Sequence, residues 1–250
     1  MTLMNRRQAL RLSAKGLAGL MATFPLLKAC AHPMGPEGSE PTTVAGDGPT
    51  PIEPGPIDWE DFLSQVGELA EIQFSPDWNQ EAYVEDVRQL MARLNLEDPF
   101  LIQAYADYAD QVRDFPEITQ VHHEPTFEVT ILEFEEGEFI PLHDHPDMTG
   151  VIMCVSGTVD VENFTLLEEP AEDSEFLLQR TAQTRMRSLD IGTLTSRNSN
   201  IHSLKALEFT QMLDVFTPPY NDDRSNRSRW FRRAVNPLPG RDEIFAAWER

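Results

Sequence analysis

Two histidines stand one residue apart in the stretch IPLHDHPDMTGVIMCVSGTV, residues 140–159. Side chains two positions apart on a β-strand point to the same face, so His143 and His145 point together while Asp144 points away. Two imidazoles on one face form a natural chelate for a metal ion, and a pair of core or edge histidines is the alternative interpretation. The pair therefore predicts a metal site inside a β-structure.

The glycines around this pair are spaced as in the first sequence motif of cupin proteins. Gly137 lies six positions before His143, and Gly150 and Gly157 follow His145 by five and twelve positions. The usual motif has a glutamate where this chain has Gly150, so the carboxylate ligand that it normally supplies is missing. A third neutral ligand is therefore expected from another strand of the barrel.

His202, in the stretch SRNSNIHSLKALEF, is the candidate for the third ligand. It stands where the second cupin motif carries its histidine, on a strand late in the chain. His122 and His123 precede the barrel and are interpreted as surface or satisfied core residues, and His32 falls in a Pro/Gly-rich stretch. The expected site therefore has three histidines, the pair and His202, and no carboxylate.

The elements that must position these histidines are short strands. From about Thr126, eight stretches rich in strand-forming residues follow one another between turn signals. They are TFEVTILEF, EFIPL, GVIMCV, TVDVENF, EFLLQR, IGTLTS, NIHSLKA and FTQMLDVF. No helix among them is long enough to connect parallel neighbours, so an antiparallel barrel or jelly roll is expected. The predicted fold class is mainly β, with the barrel domain over residues 116–250.

A helical segment is predicted ahead of the barrel, over residues 58–115. Val84, Val87, Met91 and Leu94 recur at helical spacing, and DPFLIQAYADYADQVRDF continues the pattern. These helices are expected to pack on a sheet. They would cap the barrel or form a partner surface.

The first 30 residues are expected to be an export signal. They hold five basic residues and no acid, with Arg6 and Arg7 paired ahead of an apolar run from about Leu17 to Leu27. That run is shorter than the roughly 20 residues of a membrane-spanning helix. The arginine pair resembles a twin-arginine signal, whose pathway carries folded proteins. The alternative is an amphipathic helix of the folded domain.

Cys30 ends the sequence LLKAC, which resembles the processing site of a lipoprotein. Lys28 departs from that pattern, where a small or apolar residue is usual, so a lipid anchor on Cys30 and a free exported protein are both open. Residues 31–57 are rich in Pro and Gly and predict a linker. The protein is expected to be exported, and to be either periplasmic or anchored to a membrane at the cell envelope.

Composition limits the fold and the partners. The 250 residues, 40% of them hydrophobic, fit one domain with extensions, and we expect a monomer. The net charge is -22, and the chain beyond residue 30 carries about -27, which makes nucleic acid or an anionic membrane surface a poor partner. The two cysteines, Cys30 and Cys154, provide no disulfide framework, and Cys154 is expected to be a small core residue.

Three stretches together resemble the family of cysteamine dioxygenases and plant cysteine oxidases. They are IPLHDHPDMTGVIMCVSGTV, NIHSLKALEFTQMLDVFTPPY and the short arginine-rich stretch that follows, and the similarity covers about Phe127 to Phe231. The resemblance implies a cupin-type thiol dioxygenase in which iron(II) is bound by His143, His145 and His202.

By the same resemblance, Asp214 and Tyr220 match an aspartate and a tyrosine that family members hold near the substrate, and they are the candidate catalytic residues. Asp214 has independent support, because a lone acid in the apolar run MLDVF needs a partner if it is buried. The alternative is an outward-facing strand acid. Apolar walls that exclude water are expected at Ile140, Leu142, Val151 and Met153.

The implied reaction adds both atoms of O2 to a sulfur and gives a sulfinic acid. Cysteamine, free cysteine, another small thiol and the N-terminal cysteine of a peptide are the candidate substrates, because each presents a thiol and an amine. An iron(II) ion with three neutral ligands keeps its full charge and open coordination positions for this chemistry.

The chain departs from the family in three places, one of which is the loop between Phe164 and Arg187, where the choice of substrate is expected to be set. Asp147 stands where glycine is usual, and its charge near the pocket rim would favour a substrate that bears an amine. Ser228 and Trp230 replace a cysteine and tyrosine pair that many members carry. This altered pair supports a second hypothesis, in which the protein is an exported cupin that binds a metal or a small ligand without turnover.

Overall fold

The computed structural model describes residues 55–109, 117–168 and 175–250. The predicted export signal, Cys30 and nearly all of the predicted linker lie outside these residues. Ile57, at the end of the predicted linker, is buried and forms an isolated parallel bridge with Leu94.

Three helices come first: α1 (Trp59–Ala70), α2 (Gln80–Ala92) and α3 (Pro99–Ala109). The side chain of Asp58 caps α1 by accepting a hydrogen bond from the backbone N–H of Asp61, and Asn79 caps α2 in the same way through Ala82. None of the helices in the described ranges is long and apolar enough to cross a membrane.

The remaining elements are strands and one short helix. They are β1 (Glu117–His123), β2 (Glu128–Phe134), β3 (Phe139–His143), β4 (Thr149–Ser156), β5 (Thr158–Glu168), β6 (Phe176–Arg187), β7 (Ile191–Leu194), β8 (Ile201–Ala206), β9 (Thr210–Thr217), α4 (Asp222–Arg227), β10 (Phe231–Arg233) and β11 (Ile244–Glu249). The eight predicted stretches correspond to β2 through β9. The sequence did not predict β1, β10 or β11 as strands.

The strands form two antiparallel sheets. One has the order β1-β2-β9-β4-β7, and the other has the order β10-β11-β6-β5-β8-β3. Neighbours such as β2 and β9, or β5 and β8, are distant in sequence, so the chain passes repeatedly from one sheet to the other. This arrangement is a jelly roll, and the prediction of a mainly β barrel is confirmed.

The outer face of the five-stranded sheet is covered by the helices. Val151 and Met153 of β4 join the buried side chains of α1 and α2 in one cluster, while Ile152 joins an inner cluster to which both sheets contribute. Successive side chains on a strand alternate between its faces. The prediction that Val151 and Met153 wall the site is therefore wrong, because they face the helical layer.

The other two predicted wall residues differ from each other. Ile140 lies in the inner cluster and lines the site cavity. Leu142 instead packs in a third cluster that joins β3 to the C-terminal strands β10 and β11, so it is not a wall of the site. Cys154 is fully buried in the inner cluster, where burial raises the pKa of its thiol to about 11, as expected for a structural cysteine.

Candidate metal centre

Three histidines converge between the two sheets. His143 ends β3, His145 lies two residues beyond it, and His202 is the second residue of β8. Each offers a ring nitrogen, and these ligand atoms all lie within 4.8 Å of one another. The cluster is the one group of three or more metal-ligating side chains found across the described residues. The structure therefore brings together all three ligands predicted from the sequence.

Strand pairing explains the convergence of two of them. β3 and β8 are antiparallel neighbours, and His143 and His202 are cross-strand partners after a register shift that follows Ile140. His145 lies outside the strand, so strand alternation alone does not direct its ring. It reaches the other two histidines from the loop that follows β3.

The ring geometry fits a metal ion. The Nε2 atoms of His145 and His202 lie 3.0 Å apart. Two nitrogens that bind one ion at a right angle, with bonds of about 2.1 Å, are separated by about 3.0 Å. Imidazole suits several divalent transition metals, and the donor set alone does not select among them.

His143 is held in the tautomer that a metal requires. Its Nδ1 lies 2.8 Å from the carbonyl oxygen of Pro141, which can only accept, so Nδ1 carries the proton and Nε2 keeps its lone pair. The indole of Trp230 stacks on the imidazole ring of His143, with 4.9 Å between centroids and 21° between planes. Trp230 also forms an isolated antiparallel bridge with His143.

His145 is fixed at its backbone and at its ring. Its N–H donates to Oδ1 of Asn200 and its carbonyl accepts from Nδ2 of Asn200, each at 2.9 Å. The hydroxyl of Tyr220 hydrogen-bonds to Nδ1 of the ring. Phe216 stacks on the imidazole with 4.8 Å between centroids. Together these contacts leave Nε2 as the atom directed at His202.

Asp144, between the two ligands, points away from them as predicted. Its side chain is 5% exposed and accepts from Nε of Arg229 at 2.8 Å and from the backbone N–H of Arg229 at 2.6 Å. The guanidinium lies over the rings of Phe176 and Phe231. This ion pair ties the loop that carries His145 to the segment that carries Trp230.

Burial keeps the three imidazoles neutral. It lowers the pKa of His143, and it lowers those of His145 and His202 well below the usual histidine value, with the neighbouring rings adding to the effect. A metal needs the unprotonated ring nitrogen, so protons compete weakly for these ligands at neutral pH.

Apolar side chains crowd position 150. A Cβ added to Gly150 would lie 3.1 Å from Cε1 of Phe216 and 3.2 Å from Cγ of Leu194. Phe216 is the ring that stacks on His145. A side chain at position 150 would therefore press on both apolar neighbours, which would have to shift by a few tenths of an ångström.

Asp214 lies on β9, inside the barrel. It is 4% exposed, and its Oδ1 has no hydrogen-bond partner. Burial raises the pKa of its carboxyl well above the usual value, and the negative charge of Glu128 raises it further. The alternative of an outward-facing strand acid does not hold, because the side chain points into the barrel.

The histidines line a cavity of about 470 Å³, which also includes Asp214, Tyr220, Ser228 and Trp230. A second cavity, of about 360 Å³, lies on the β4–β7 side of the barrel and shares His202 and Asp214 with the first. Both predicted catalytic residues thus lie at the site. Tyr220 touches a ligand histidine, whereas Asp214 faces open space in both cavities.

The rim carries less free charge than the sequence suggests. Asp147 is ion-paired with Arg227 at 2.8 Å, and both side chains are exposed. Asp147 also has a φ of 59°, a left-handed conformation that explains why glycine suits this position. The charge that Asp147 carries is therefore offset by Arg227.

His122 and His123 do not join the cluster. His122 lies on β1, 3.0 Å from a carboxylate oxygen of Glu124 and beside the ring of Phe127, and the side chain of His123 is 49% exposed. Both agree with the interpretation drawn from the sequence.

The chain is similar to proteins of known function. The PCO_ADO family model matches residues 85–243. The 2-aminoethanethiol dioxygenase of Mus musculus is 26% identical over 61% of this chain and 68% of its own length. The human enzyme of that name is 25% identical over 58% of this chain and 63% of its own length. Plant cysteine oxidase 1 of Arabidopsis thaliana is 24% identical over 60% of this chain and 55% of its own length.

Solved cupin structures are also similar, at low identity. KdgF from Halomonas sp. has a TM-score of 0.34 and 21% identity, covering 45% of this chain and 89% of that protein. An RmlC-like cupin from Desulfovibrio desulfuricans has a TM-score of 0.33 and 17% identity, covering 44% of this chain and 92% of that protein.

Proposed function

Because the chain belongs to the PCO_ADO family, we propose that it is an iron(II)-dependent thiol dioxygenase that converts an aminothiol or a cysteine-type thiol into a sulfinic acid. The observation that carries the proposal is the cluster of three neutral histidines beside a cavity that also holds Asp214. The relatives are named for 2-aminoethanethiol and for cysteine, which both present a thiol and an amine.

The proposed reaction balances without a further reductant. A thiol and O2 give a sulfinic acid, so two sulfur–oxygen bonds form and the oxygen–oxygen bond breaks. The sulfur loses four electrons, and the two oxygen atoms accept all four. A cavity that holds one thiol and one O2 therefore suffices for the chemistry.

His143, His145 and His202 would hold the metal. Bound iron(II) would supply open positions for the thiol sulfur and for O2, and would lower the pKa of the thiol. Neutral ligands leave the ion its full positive charge. The hydrogen bonds to Pro141 and Tyr220 fix the rings of two ligands before the metal arrives.

The residues around the cavity would orient the substrate. Asp214 faces the cavity with an unpartnered oxygen and would accept a hydrogen bond from the substrate ammonium. The apolar side chains of Ile140, Leu204 and Phe216 line the same space and would limit the access of water to the sulfur. The amine and the thiol would thus be held at opposite ends of a short span.

We also propose that the protein is exported, on the basis of the sequence alone. The Arg6–Arg7 pair and the apolar run that follows support a folded-protein route, on which iron could be loaded in the cytoplasm before export. Replacing Arg6 and Arg7 by lysine should strand an iron-loaded precursor in the cytoplasm. Efficient export of that variant would show that the arginine pair is an ordinary charged signal start.

Oxygen uptake tests the proposed activity. The purified protein, loaded with iron(II) under anaerobic conditions, should consume O2 when cysteamine, free cysteine or a peptide with an N-terminal cysteine is added. The product should be heavier than the thiol by two oxygen atoms. Stable iron binding without oxygen consumption on any of these thiols would favour the second hypothesis, a metal-binding cupin without turnover.

A further inference from the structure

Two carboxylates line the cavity beside the three histidines. Asp214 and Glu128 are 4% and 2% exposed. No lysine or arginine is found among the described residues that line this cavity. A buried negative charge is costly unless a cation or several hydrogen bonds compensate it. The partners of each carboxylate therefore indicate what the cavity is built to receive.

The carboxylate of Glu128 is oriented by hydrogen bonds. One oxygen accepts from the backbone N–H of Tyr220 at 3.1 Å, and the other accepts from the side-chain amide of Gln120 at 2.7 Å. Both donors are uncharged. Nδ1 of His123, a residue whose side chain is half exposed, lies 3.6 Å from the second oxygen and 3.2 Å from the Gln120 amide nitrogen.

Two buried polar atoms without a hydrogen-bond partner lie in the same cavity as Glu128. Oδ1 of Asp214 and Oγ1 of Thr130 are buried without a hydrogen-bond partner, and these two residues are cross-strand partners on β9 and β2. Both line the cavity. Buried polar atoms are normally satisfied, so this part of the cavity has the character of a binding site for a polar ligand.

The two carboxylates are arranged in order from the interior to the edge of the sheet. Asp214 lies on β9, Glu128 on the neighbouring strand β2, and Gln120 is exposed on the edge strand β1. Glu128 pairs with Phe216, so it is the diagonal neighbour of Asp214, at a spacing of about 7–8 Å between backbones. A ligand that extends outward from Asp214 toward the edge therefore passes Glu128.

We infer that Glu128 forms a second cation subsite, and that the preferred substrate is a thiol with two cationic groups. The inference rests on the proposed function. The amine nearest the sulfur would pair with Asp214, and a second positive charge several atoms further from the sulfur would pair with Glu128. An N-terminal cysteine followed by lysine or arginine has this chemistry, and so does a small diaminothiol.

Anaerobic binding to the full-length, iron-loaded protein tests the subsite apart from turnover. The probes are two peptide amides, Cys-Lys-Ala and the same peptide with an acetylated lysine side chain, together with cysteamine and 2-(3-aminopropylamino)ethanethiol. Calorimetry should show at least about tenfold tighter binding of the dicationic member of one pair or of both. The pair that shows the preference identifies the source of the ligand, a peptide or a small diaminothiol.

Two matched variants assign the preference. Glu128→Gln keeps an acceptor for the Tyr220 N–H and removes the charge, so the preference should fall to about twofold or less. Glu133→Gln removes a charge equally buried on the same strand but outside the cavity, and it should keep the preference. Melting temperatures identify a variant that fails to fold. The comparison of the paired probes on the wild-type protein does not depend on either variant.

Equal binding of both members in both pairs would overturn the subsite, and so would a preference that survives in a folded Glu128→Gln protein. Oxygen uptake, scored separately with cysteamine, keeps this result distinct from the proposed function. Charge-selective binding without oxygen consumption would support the subsite while removing the dioxygenase. Oxygen consumption without a preference for the dicationic thiols would support the dioxygenase and overturn the subsite.

Discussion

The hydroxyl of Tyr220 is hydrogen-bonded to Nδ1 of His145. If Nε2 of His145 binds a metal, Nδ1 keeps the ring proton and donates a hydrogen bond to this hydroxyl. Tyr220 was expected near the substrate, and it lines the cavity, where its hydroxyl also contacts a candidate ligand histidine. We therefore expect Tyr220 to position the ring of His145.

Tyr220→Phe tests this positioning role. Loss of a hydrogen bond to a ligand histidine typically lowers metal affinity or activity by about 10- to 100-fold, and we expect a loss of iron affinity in that range. Tyr83→Phe is the control, because Tyr83 is also buried and bonds through its hydroxyl to Thr217 rather than to a ligand. Iron titration of both proteins makes the comparison. Equal iron affinities of the Tyr220→Phe and wild-type proteins would mean that the Tyr220 hydroxyl does not position a metal ligand, which would leave only its expected role near the substrate.

Trp230 should stabilise the ring of His143. Replacing it by alanine removes the stacked indole and should lower iron occupancy, whereas Trp230→Phe should retain most of it. Trp248 is equally exposed, at 40%, and lies on β11 away from the histidines, so Trp248→Ala serves as the matched control. Metal analysis after gel filtration gives the readout. Full iron retention by Trp230→Ala would contradict the account of the stack.

The ion pair of Asp144 with Arg229 should matter for stability. Asp144→Asn weakens two hydrogen bonds to a buried carboxylate, which predicts a loss of about 1.5–3 kcal/mol in the free energy of unfolding. Asp160→Asn breaks the exposed pair with Arg185 and should destabilise the protein clearly less, because solvent screens exposed pairs. Urea unfolding of the two variants separates these outcomes. A loss for Asp144→Asn no larger than that for Asp160→Asn would mean that the pair is not needed to hold the loop.

The charge of Asp214 should be needed for activity and should lower the stability of the folded protein. Asp214→Asn keeps the shape and removes the charge that would hold an amine, so turnover should fall by more than about tenfold, or 1.4 kcal/mol, while iron is retained. Unchanged turnover would leave Asp214 without a role in the reaction.

The same variant has an effect on stability with a defined pH dependence. The pKa of Asp214 is raised by burial, so the wild-type protein loses stability as the pH rises above the ordinary carboxyl value toward the raised one. Asp214→Asn should therefore melt higher than wild type at neutral pH, and the difference should shrink toward pH 4. Thermal unfolding of the iron-free proteins between pH 4 and 8 measures it, and a difference that grows on acidification would have the wrong sign.

The strand pattern and the His143 and His145 pair could be predicted from the sequence because they rest on local spacing, whereas His202 was predicted from its likeness to the second cupin motif. Runs of strand-forming residues between turn signals mark β2 through β9, and the histidine pair is visible within one short stretch. β1 and the three-residue β10 were missed because they are polar or short, and their pairing depends on neighbours already in the sheet.

The residues that hold the ligands in place could not be predicted in this way. Asn200 is 55 positions from His145, and Arg229 is 85 positions from Asp144. Glu128 looks like an ordinary polar residue of an alternating strand, and its burial depends on how the two sheets pack. Such contacts follow from tertiary packing, on which short-range spacing carries no information.

Labelled oxygen tests the central proposal most directly. The iron-loaded protein is mixed with cysteamine under ¹⁸O2, and the product is analysed by mass spectrometry beside His202→Ala and His122→Ala proteins. We predict a sulfinic acid with two ¹⁸O atoms from the wild type and from His122→Ala, and none from His202→Ala. A product that is only disulfide, or an oxygenated product whose oxygen comes from water, would contradict the assignment as a thiol dioxygenase.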